Sequence, residues 1–272
     1  MIVLVYGLFG LIIGSFLNVV ILRHGARTVG GRSGCLSCGA PLLPYDMIPV
    51  VSWVVLRGRC RACGSRISVQ YPLVEASSAI LFALVGLSGL SIPLTIVSLL
   101  IMALLVLIAT YDIRHTIIPD EWAYGFAVLA LIAASPFALT QGGMSGIVML
   151  LIAGPACALP LFVLWLVSRG RWMGLGDAKL ALGIGWLLGL ASGFAAILFA
   201  FVLGALVSVC VLLPLQYLQA RMGSGRISGS RTRAKGFTMK SEVPFGPFLI
   251  ASCIFVWLMM VFGITVPFLN LI

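Results

Sequence analysis

The feature that most constrains this chain is a series of long apolar runs separated by polar connections. The first covers residues 2–22, and the others, with soft boundaries, lie near residues 73–90, 93–111, 122–140, 145–168, 178–192, 194–219 and 245–267. A helix needs about 20 apolar residues to cross a bilayer. Since 61% of the 272 residues are hydrophobic and 9% are charged, a soluble globular enzyme is excluded. The sequence predicts an all-α polytopic membrane protein with about eight transmembrane helices, in which the run 178–192 is short enough to be a partial span.

The basic residues indicate how these spans are oriented. All 17 Lys and Arg lie in alternate connections, with seven in 23–72, one at Arg114, three in 169–179 and six in 220–244. The connections near 91–92, 141–144 and 193 contain none. Because Lys and Arg collect in loops that are not translocated, we predict that both termini lie outside and the basic loops lie in the cytoplasm. The net charge of +10 then indicates contact with anionic membrane lipids, not with nucleic acid.

The first cytoplasmic loop contains two CxxC motifs with the spacing of a zinc ribbon. They are formed by Cys35, Cys38, Cys60 and Cys63. Zn²⁺ binds four thiolates in a tetrahedron, and the glycines that follow each motif, Gly39 and Gly64, suit a tight turn around a metal. Two disulfides or four separate thiols are the alternatives, and a cytoplasmic location disfavours disulfides. We therefore predict a first transmembrane helix at 1–22, a zinc-binding domain at 23–72 and a seven-helix membrane domain at 73–272.

Two of the seven carboxylates fall at the same membrane depth. Asp112 ends the third apolar run and Asp177 opens the sixth, so both lie at predicted cytoplasmic helix ends. Ionisable groups in membrane helices are candidates for function because they are costly to bury. Two carboxylates that share a proton can activate water and protonate a leaving amine, which is the chemistry of an aspartic protease. Gly174 and Gly176 would allow an extended peptide to approach closely.

Each acid also has a structural interpretation. Asp177 could be a helix N-cap, and Asp112 could form an ion pair with Arg114 or His115. A proton- or cation-coupled transporter, with the cysteine loop as a gate, is the alternative function, although carriers usually place such acids near the membrane midplane. A non-catalytic scaffold is a third possibility.

Two further acids, Asp120 and Glu121, follow Pro119 at a predicted helix start. Acidic side chains in the first turn are favoured by the helix dipole. We therefore expect a structural role for both.

Several motifs occur together and in order along almost the whole chain. They are Gly14-Ser-Phe-Leu-Asn18, the four cysteines, Tyr71-Pro-Leu-Val-Glu75, Asp112 with Ile118-Pro-Asp120, Gly174-Leu-Gly176-Asp177-Ala-Lys179, and Pro244-Phe-Gly-Pro-Phe248. This set resembles the bacterial type IV prepilin leader peptidases, which are polytopic aspartyl proteases of the GxGD class. The resemblance implies Asp112 and Asp177 as the catalytic pair, with Gly174, Gly176 and Lys179 as supporting residues.

The resemblance also implies substrates, cofactors and a location. Such an enzyme, in the bacterial inner membrane, cleaves the basic leader of type IV prepilins and pseudopilins after a glycine on the cytoplasmic side. Members often also N-methylate the new N-terminus with S-adenosylmethionine, an activity associated with the cysteine-bearing domain, in which Zn²⁺ is structural. Gly58, Arg59 and Glu75 are the candidate contributors to methyl transfer, and no Rossmann-type glycine-rich loop is present in the sequence.

Overall fold

The computed structural model describes residues 1–25, 30–212 and 244–264, and within these ranges it is helical, with no strand. The helices are α1 (Ile2–Arg23), α2 (Val51–Val55), α3 (Gln70–Leu87), α4 (Ile92–His115), α5 (Asp120–Ser168), α6 (Leu175–Leu188), α7 (Leu190–Val207) and α8 (Gly246–Val261). The predicted all-α class is confirmed. Most of the predicted basic loop 220–244 lies outside the described residues.

The helices have the apolar outer surface of a membrane protein. In the described ranges, α1, α3, α4, α5 and the segment Leu190–Cys210 are long and apolar enough to cross a membrane, whereas α8 is apolar but shorter. Large side chains on the outside, such as Leu4 at 71% and Leu100 at 52% exposure, contact little protein. Polar groups such as Asn18 and Glu75 are buried instead. Since so extensive an apolar surface is foreign to soluble monomers, the chain is a multi-pass membrane protein.

Helix α5 is divided in the middle by a glycine. A straight helix of its 49 residues would be about 74 Å long, more than twice the hydrocarbon thickness of about 30 Å. Gly143 has a non-helical backbone, with φ of 56° and ψ of −134°, which only glycine adopts readily. Beyond it, Gly146 lies directly against the carbonyl oxygen of Ala138, so the chain turns back. The predicted connection at 141–144 is confirmed.

The boundary between α6 and α7 differs from the prediction. The sequence analysis placed a connection near 193, but the helices separate at Gly189, whose φ is 80°. Gly193 lies inside α7, where a Cβ would approach the sulfur of Cys157 to 2.8 Å and the Cα of Gly185 to 3.2 Å. The glycine at 193 therefore serves helix packing and not a turn, a distinction that composition alone does not make.

Helix α6 is short and enclosed by both arms of α5. Its 14 residues span about 21 Å, as expected for the partial span predicted at 178–192. A Cβ on Gly183 would meet the Phe126 ring at 2.5 Å, and a Cβ on Gly185 would meet the Ala153 carbonyl oxygen at 2.5 Å. Glycine at both positions lets the arms approach closely, and this approach buries α6.

Helices α1 and α3 also pack through glycine. A Cβ on Gly10 would lie 2.6 Å from the carbonyl oxygen of Ser78, and a Cβ on Gly14 would lie 2.7 Å from the Cα of Glu75. Glycine at both positions therefore lets α1 and α3 approach closely. At Gly7 the helices are farther apart, with the nearest atoms of Ala79 and Ala83 at 3.9 Å.

We predict that Gly10→Ala destabilises the protein, because its Cβ would overlap the α3 backbone, which cannot rotate away. Overpacking of this kind costs about 1–3 kcal/mol. Gly7→Ala is the matched control, since the Cβ of the new alanine would make only an ordinary contact. The stability of this variant should match that of the wild type. Thermal unfolding in detergent measures both variants. Equal midpoints for the two would contradict the contact.

Candidate active site

Asp112 lies in the last turn of α4 with only 4% of its surface exposed. The helix ends at Thr116, whose amide donates to the Asp112 carbonyl at 2.7 Å. The carboxylate oxygen Oδ2 is buried and has no hydrogen-bond partner among the described residues, and Asp112 forms no ion pair with Arg114 or His115 there. The ion-pair interpretation is therefore not supported, and an unsatisfied buried carboxyl oxygen remains available.

Asp177 is the third residue of α6 and is 7% exposed. The N-cap of the helix is Gly174, and no side-chain capping bond forms at this end. The alternative that Asp177 is the N-cap is therefore wrong. Its position in the first turn still places the carboxylate at the positive end of the helix dipole.

The structure brings the two aspartates together at the ends of three helices. They are close enough for the charge of Asp112 to act on Asp177. Gly246, the first residue of α8, lies against Asp112, because a Cβ there would be 2.5 Å from Oδ2. Ile118 packs between these elements, with its Cβ 2.9 Å from the place of a Gly176 Cβ and its Cδ1 3.2 Å from that of a Gly246 Cβ. The C-terminal end of α4 and the N-terminal ends of α6 and α8 thus meet around two buried carboxyl groups.

These contacts assign packing roles to the glycines beside Asp177. The sequence predicts that Gly176 makes room for an extended peptide, but in the structure Gly176 faces Ile118, so its missing side chain makes room for protein. Gly174 is less crowded, since a Cβ there would lie 3.6 Å from Oδ2 of Asp177.

Lys179 forms an ion pair that joins two helix starts. Its Nζ donates to Oδ1 of Asp120 at 2.6 Å, and it lies 5.4 Å from the ring centre of Tyr124. Asp120 is in the first turn of α5 and Lys179 is two residues beyond Asp177. The pair holds the two helices in register beside the aspartates.

The four cysteines of the CxxC motifs form one cluster. Their sulfur atoms all lie within 4.8 Å of one another, and those of Cys35 and Cys63 are 3.8 Å apart. Four thiolates around one Zn²⁺ at about 2.3 Å would be about 3.8 Å apart. The donor set therefore fits a tetrahedral metal ion.

Two equivalent turns build the cluster. In each motif the amide four residues after the first cysteine donates to its carbonyl oxygen at 2.9 Å, from Gly39 to Cys35 and from Gly64 to Cys60. Both glycines have positive φ, 72° and 70°, so their predicted use in tight turns is confirmed. Because the two turns are alike, the sulfur atoms of both CxxC motifs point toward one centre.

The electrostatics of the cluster favour a bound cation. Hydrogen bonds from the amides of Cys38 and Ser37 lower the pKa of Cys35 to about 6. Although the Ala40 amide acts in the opposite direction, the sulfurs of Cys63 and Cys35 raise the pKa of Cys38 to about 11. Adjacent thiolates repel one another, so a cation is needed for all four to be ionised together.

The candidate methyl-transfer residues lie at two places around α2. Gly58 has a φ of 65° and packs on Trp53, whose Cζ2 would be 2.8 Å from a Cβ, and the exposed Arg59 follows it. Glu75 lies in α3, 6% exposed, and its Oε2 accepts a 2.7 Å hydrogen bond from the amide of Val50. The structure thus links Glu75 to the start of α2, whereas Gly58 and Arg59 follow the end of that helix.

Comparisons with known proteins place this arrangement in a family. Residues 8–88 match the model of the bacterial peptidase A24 N-terminal domain, and residues 99–209 match that of the type IV leader peptidase family. A prepilin leader peptidase/N-methyltransferase of Bacillus subtilis is 31% identical over 92% of this chain and 92% of its own length. The chain belongs to the type IV leader peptidase family. The first match contains the cysteine cluster, and the second contains both aspartates.

Other members of the type IV leader peptidase family are similar over less of their length. A prepilin leader peptidase/N-methyltransferase of Myxococcus xanthus is 34% identical over 75% of this chain, which spans 61% of that protein. A type 4 prepilin-like proteins leader peptide-processing enzyme of Escherichia coli is 34% identical over 65% of this chain and 73% of its own length. No solved structure matches the chain significantly.

Two residues at the aspartate pair were missed by the sequence analysis. Ile118 and Gly246 lie in motifs quoted there, but nothing in the sequence shows that they pack against Gly176 and Asp112. Their one sequence signal is proximity to proline, since Pro119 and Pro247 mark helix starts. The starts of α5 and α8 lie at the membrane depth of the aspartates, so residues beside these prolines can pack next to the pair.

We predict that the purified protein binds one metal ion per chain and that Cys38→Ser releases it, because the remaining three thiolates no longer complete the tetrahedron. Cys210→Ser is the control, since Cys210 lies in the short π-helical segment that continues α7 and is not one of the four clustered cysteines. Elemental analysis of protein purified without chelator measures the ratio. A metal content that is unaffected by Cys38→Ser would count against the site.

Proposed function

We propose that this chain is an aspartic endopeptidase that removes the basic leader of type IV prepilins and pseudopilins, and that it then methylates the new N-terminus. The observation that carries the proposal is the pair of buried carboxyl groups, Asp112 and Asp177, at one end of the helix bundle. Membership of the type IV leader peptidase family supports it. A transporter is not supported, since nothing in the comparisons points to transport.

In the proposed mechanism the two aspartates share one proton and hold a water molecule between them. The ionised carboxylate takes a proton from the water molecule while the water oxygen attacks the carbonyl carbon of the scissile glycine. The protonated carboxyl group stabilises the developing oxyanion. The carboxyl group that took the proton from water then gives it to the leaving amine as the C–N bond breaks, which restores one shared proton on the pair. The unpartnered Oδ2 of Asp112 is the atom available for this water.

The position of the pair suits a substrate that is partly in the membrane. A prepilin has a basic leader followed by a hydrophobic helix. That helix can lie in lipid against the apolar outer face of the enzyme, which leaves the peptide bond before it at the helix ends where Asp112 and Asp177 meet.

We further propose eight spans with this end in the cytoplasm of a bacterial inner membrane. The segments are α1, α3, α4, the arms 120–142 and 144–168 of α5, α6, α7 and α8. Alternate ends of these segments carry Arg23, Arg114, Arg169 and Lys179, as the positive-inside rule expects. The remaining basic loops would contact anionic lipid headgroups.

We propose Zn²⁺ as the ion of the cysteine cluster, because four thiolates in a tetrahedron are its usual structural site. Cys35, Cys38, Cys60 and Cys63 would hold it, and the ion would fix the two turns relative to each other. It supplies no catalytic step, since a site with four protein ligands has no open position.

S-adenosylmethionine is the proposed methyl donor. The contacts of Glu75 do not fit a residue that touches it, because the carboxylate is buried and accepts the Val50 amide. Gly58 and Arg59 remain the candidates for methyl transfer, and we derive no chemical step from them.

We predict that Asp112→Asn and Asp177→Asn each reduce leader cleavage by at least about a thousandfold, because an amide cannot exchange the shared proton. Asp46→Asn is the matched control, since Asp46 pairs with Arg61 at 2.8 Å in the cysteine loop and should leave cleavage intact. The assay measures product in detergent after membrane insertion of every variant is verified. Normal cleavage by either aspartate variant would refute the pair.

We predict that Cys38→Ser weakens methyl transfer more than cleavage, because the cysteine loop is built separately from the aspartate pair. Mass spectrometry of the processed N-terminus reports both reactions in one spectrum, as leader loss and as the added methyl group. A Cys38→Ser protein that cleaves slowly but fully methylates every N-terminus it releases would contradict this division of roles.

A further inference from the structure

One carboxylate near the aspartate pair has no role in the proposed chemistry and, among the residues that the structure describes, no permanent counterion. Of the acids in the described residues, Asp46 pairs with Arg61 and Asp120 pairs with Lys179, while Glu75 is buried against Val50. Glu121 has only an imidazole, with its Oε1 3.5 Å from Nε2 of His24, and its side chain is 63% exposed. Unlike Lys or Arg, a histidine does not carry a permanent charge.

The His24 ring that contacts this carboxylate belongs to a group of packed aromatic rings. We call them the ring cluster, which consists of His24, Tyr111, His115 and Trp122. The centre of the His24 ring lies 4.4 Å from that of Trp122, and the Tyr111 ring lies 5.0 Å from Trp122 and 4.3 Å from His115. The cluster joins the ends of α1 and α4 to the start of α5. All four side chains retain exposed surface.

The ring cluster lies at the same end of the bundle as the aspartate pair. Tyr111 directly precedes Asp112 in the last turn of α4, and Glu121 is three residues after Ile118, which packs beside that pair. A chain that passes over the aspartates therefore has the ring cluster and Glu121 within reach of its neighbouring residues.

An exposed carboxylate that contacts His24, whose ring packs on Trp122 and Tyr111, offers a site for an alkylammonium or guanidinium group. Such a cation gains from the ring faces as well as from the negative charge. Anionic lipid headgroups are the opposite case, because Glu121 repels them. The exposed arginines of this end would repel a basic peptide, so a local negative site decides where its cation can bind.

We propose that Glu121 and the ring cluster form the subsite that binds a lysine or arginine of the substrate leader, close to the scissile glycine. This inference rests on the proposed function, because it takes the basic leader as the occupant. The leader cation contacts the Glu121 carboxylate, displacing or joining His24, and lies against the rings of Trp122 and Tyr111. The contact makes Glu121 a specificity-determining residue and gives it no part in bond cleavage.

A lysine scan of the leader tests the subsite. Substrates carry a single lysine at one of four positions before the scissile glycine, with methionine at that position as the neutral counterpart. The kcat/KM ratio of the lysine and methionine forms is measured for wild type, Glu121→Gln and Glu121→Lys. Each value is the ratio of kcat/KM for two substrates of the same enzyme preparation, so a reduced fraction of folded enzyme lowers both terms equally and leaves the ratio unchanged.

We expect wild type to prefer lysine by about five- to tenfold at one position and Glu121→Gln to lose that preference. Glu121→Lys should reverse it and favour a substrate with glutamate there, and Trp122→Leu should weaken it about threefold. Asp46→Asn, a lost carboxylate in the cysteine loop, should keep the wild-type ratio. An equal preference in wild type and Glu121→Gln, or no lysine preference in wild type at any position, overturns the subsite alone. Absence of cleavage by wild type overturns the proposed function and the subsite with it.

Discussion

The arrangement depends on how closely other helices approach α6. This helix carries Asp177, yet at 14 residues it is too short to span the hydrocarbon alone and must be held by its neighbours. Gly176, Gly183 and Gly185 provide the contact, because at each of them a Cβ would lie within 3 Å of an atom of α5 or of the chain leading into it. Without a hydrophobic driving force inside lipid, such packing is what holds membrane helices together. A larger residue at any of the three would move Asp177 away from Asp112.

The enclosure of α6 explains how two carboxyl groups remain buried at a membrane surface. An isolated acid at this depth would turn toward water, but Gly246 lies against the Asp112 carboxylate, and Ile118 packs against Gly246. Packed backbone limits contact with bulk water without supplying a counterion, which leaves the carboxyl groups to interact with each other and with the one water molecule of the proposed mechanism. Of the basic side chains two residues away in sequence, Lys179 is paired with Asp120, and Arg114 forms no ion pair with Asp112. Among the described residues, neither aspartate therefore has a basic partner, as a pair whose proposed chemistry needs one shared proton requires.

The sequence predicted those features that follow from a local pattern. Apolar length predicted the helices, and two CxxC motifs predicted the cysteine cluster, since each depends on residues near one another in the chain. It failed where distant segments decide. In the sequence Gly193 looks like a turn residue, but it packs against Cys157. Gly176 looks like a place where a peptide could approach the backbone, but it packs against Ile118. The role of Gly246 depends on which helix end it meets, and no spacing rule connects residue 246 to residue 112.

The cysteine loop is attached to the helix bundle at a strained point. Val50 has a φ of 60°, and the Val51 amide donates to the Pro49 carbonyl at 2.6 Å, which is a γ-turn that a β-branched residue rarely adopts. The amide of Val50 donates to the buried carboxylate of Glu75. Helix α3 therefore fixes the turn from within the membrane domain. The same helix fixes α1 through Gly10 and Gly14, and α1 ends beside the ring cluster. Helices α1 and α3 therefore orient both the cysteine loop and the end of the bundle that carries the aspartates. The regions of the two proposed reactions are thereby held relative to each other.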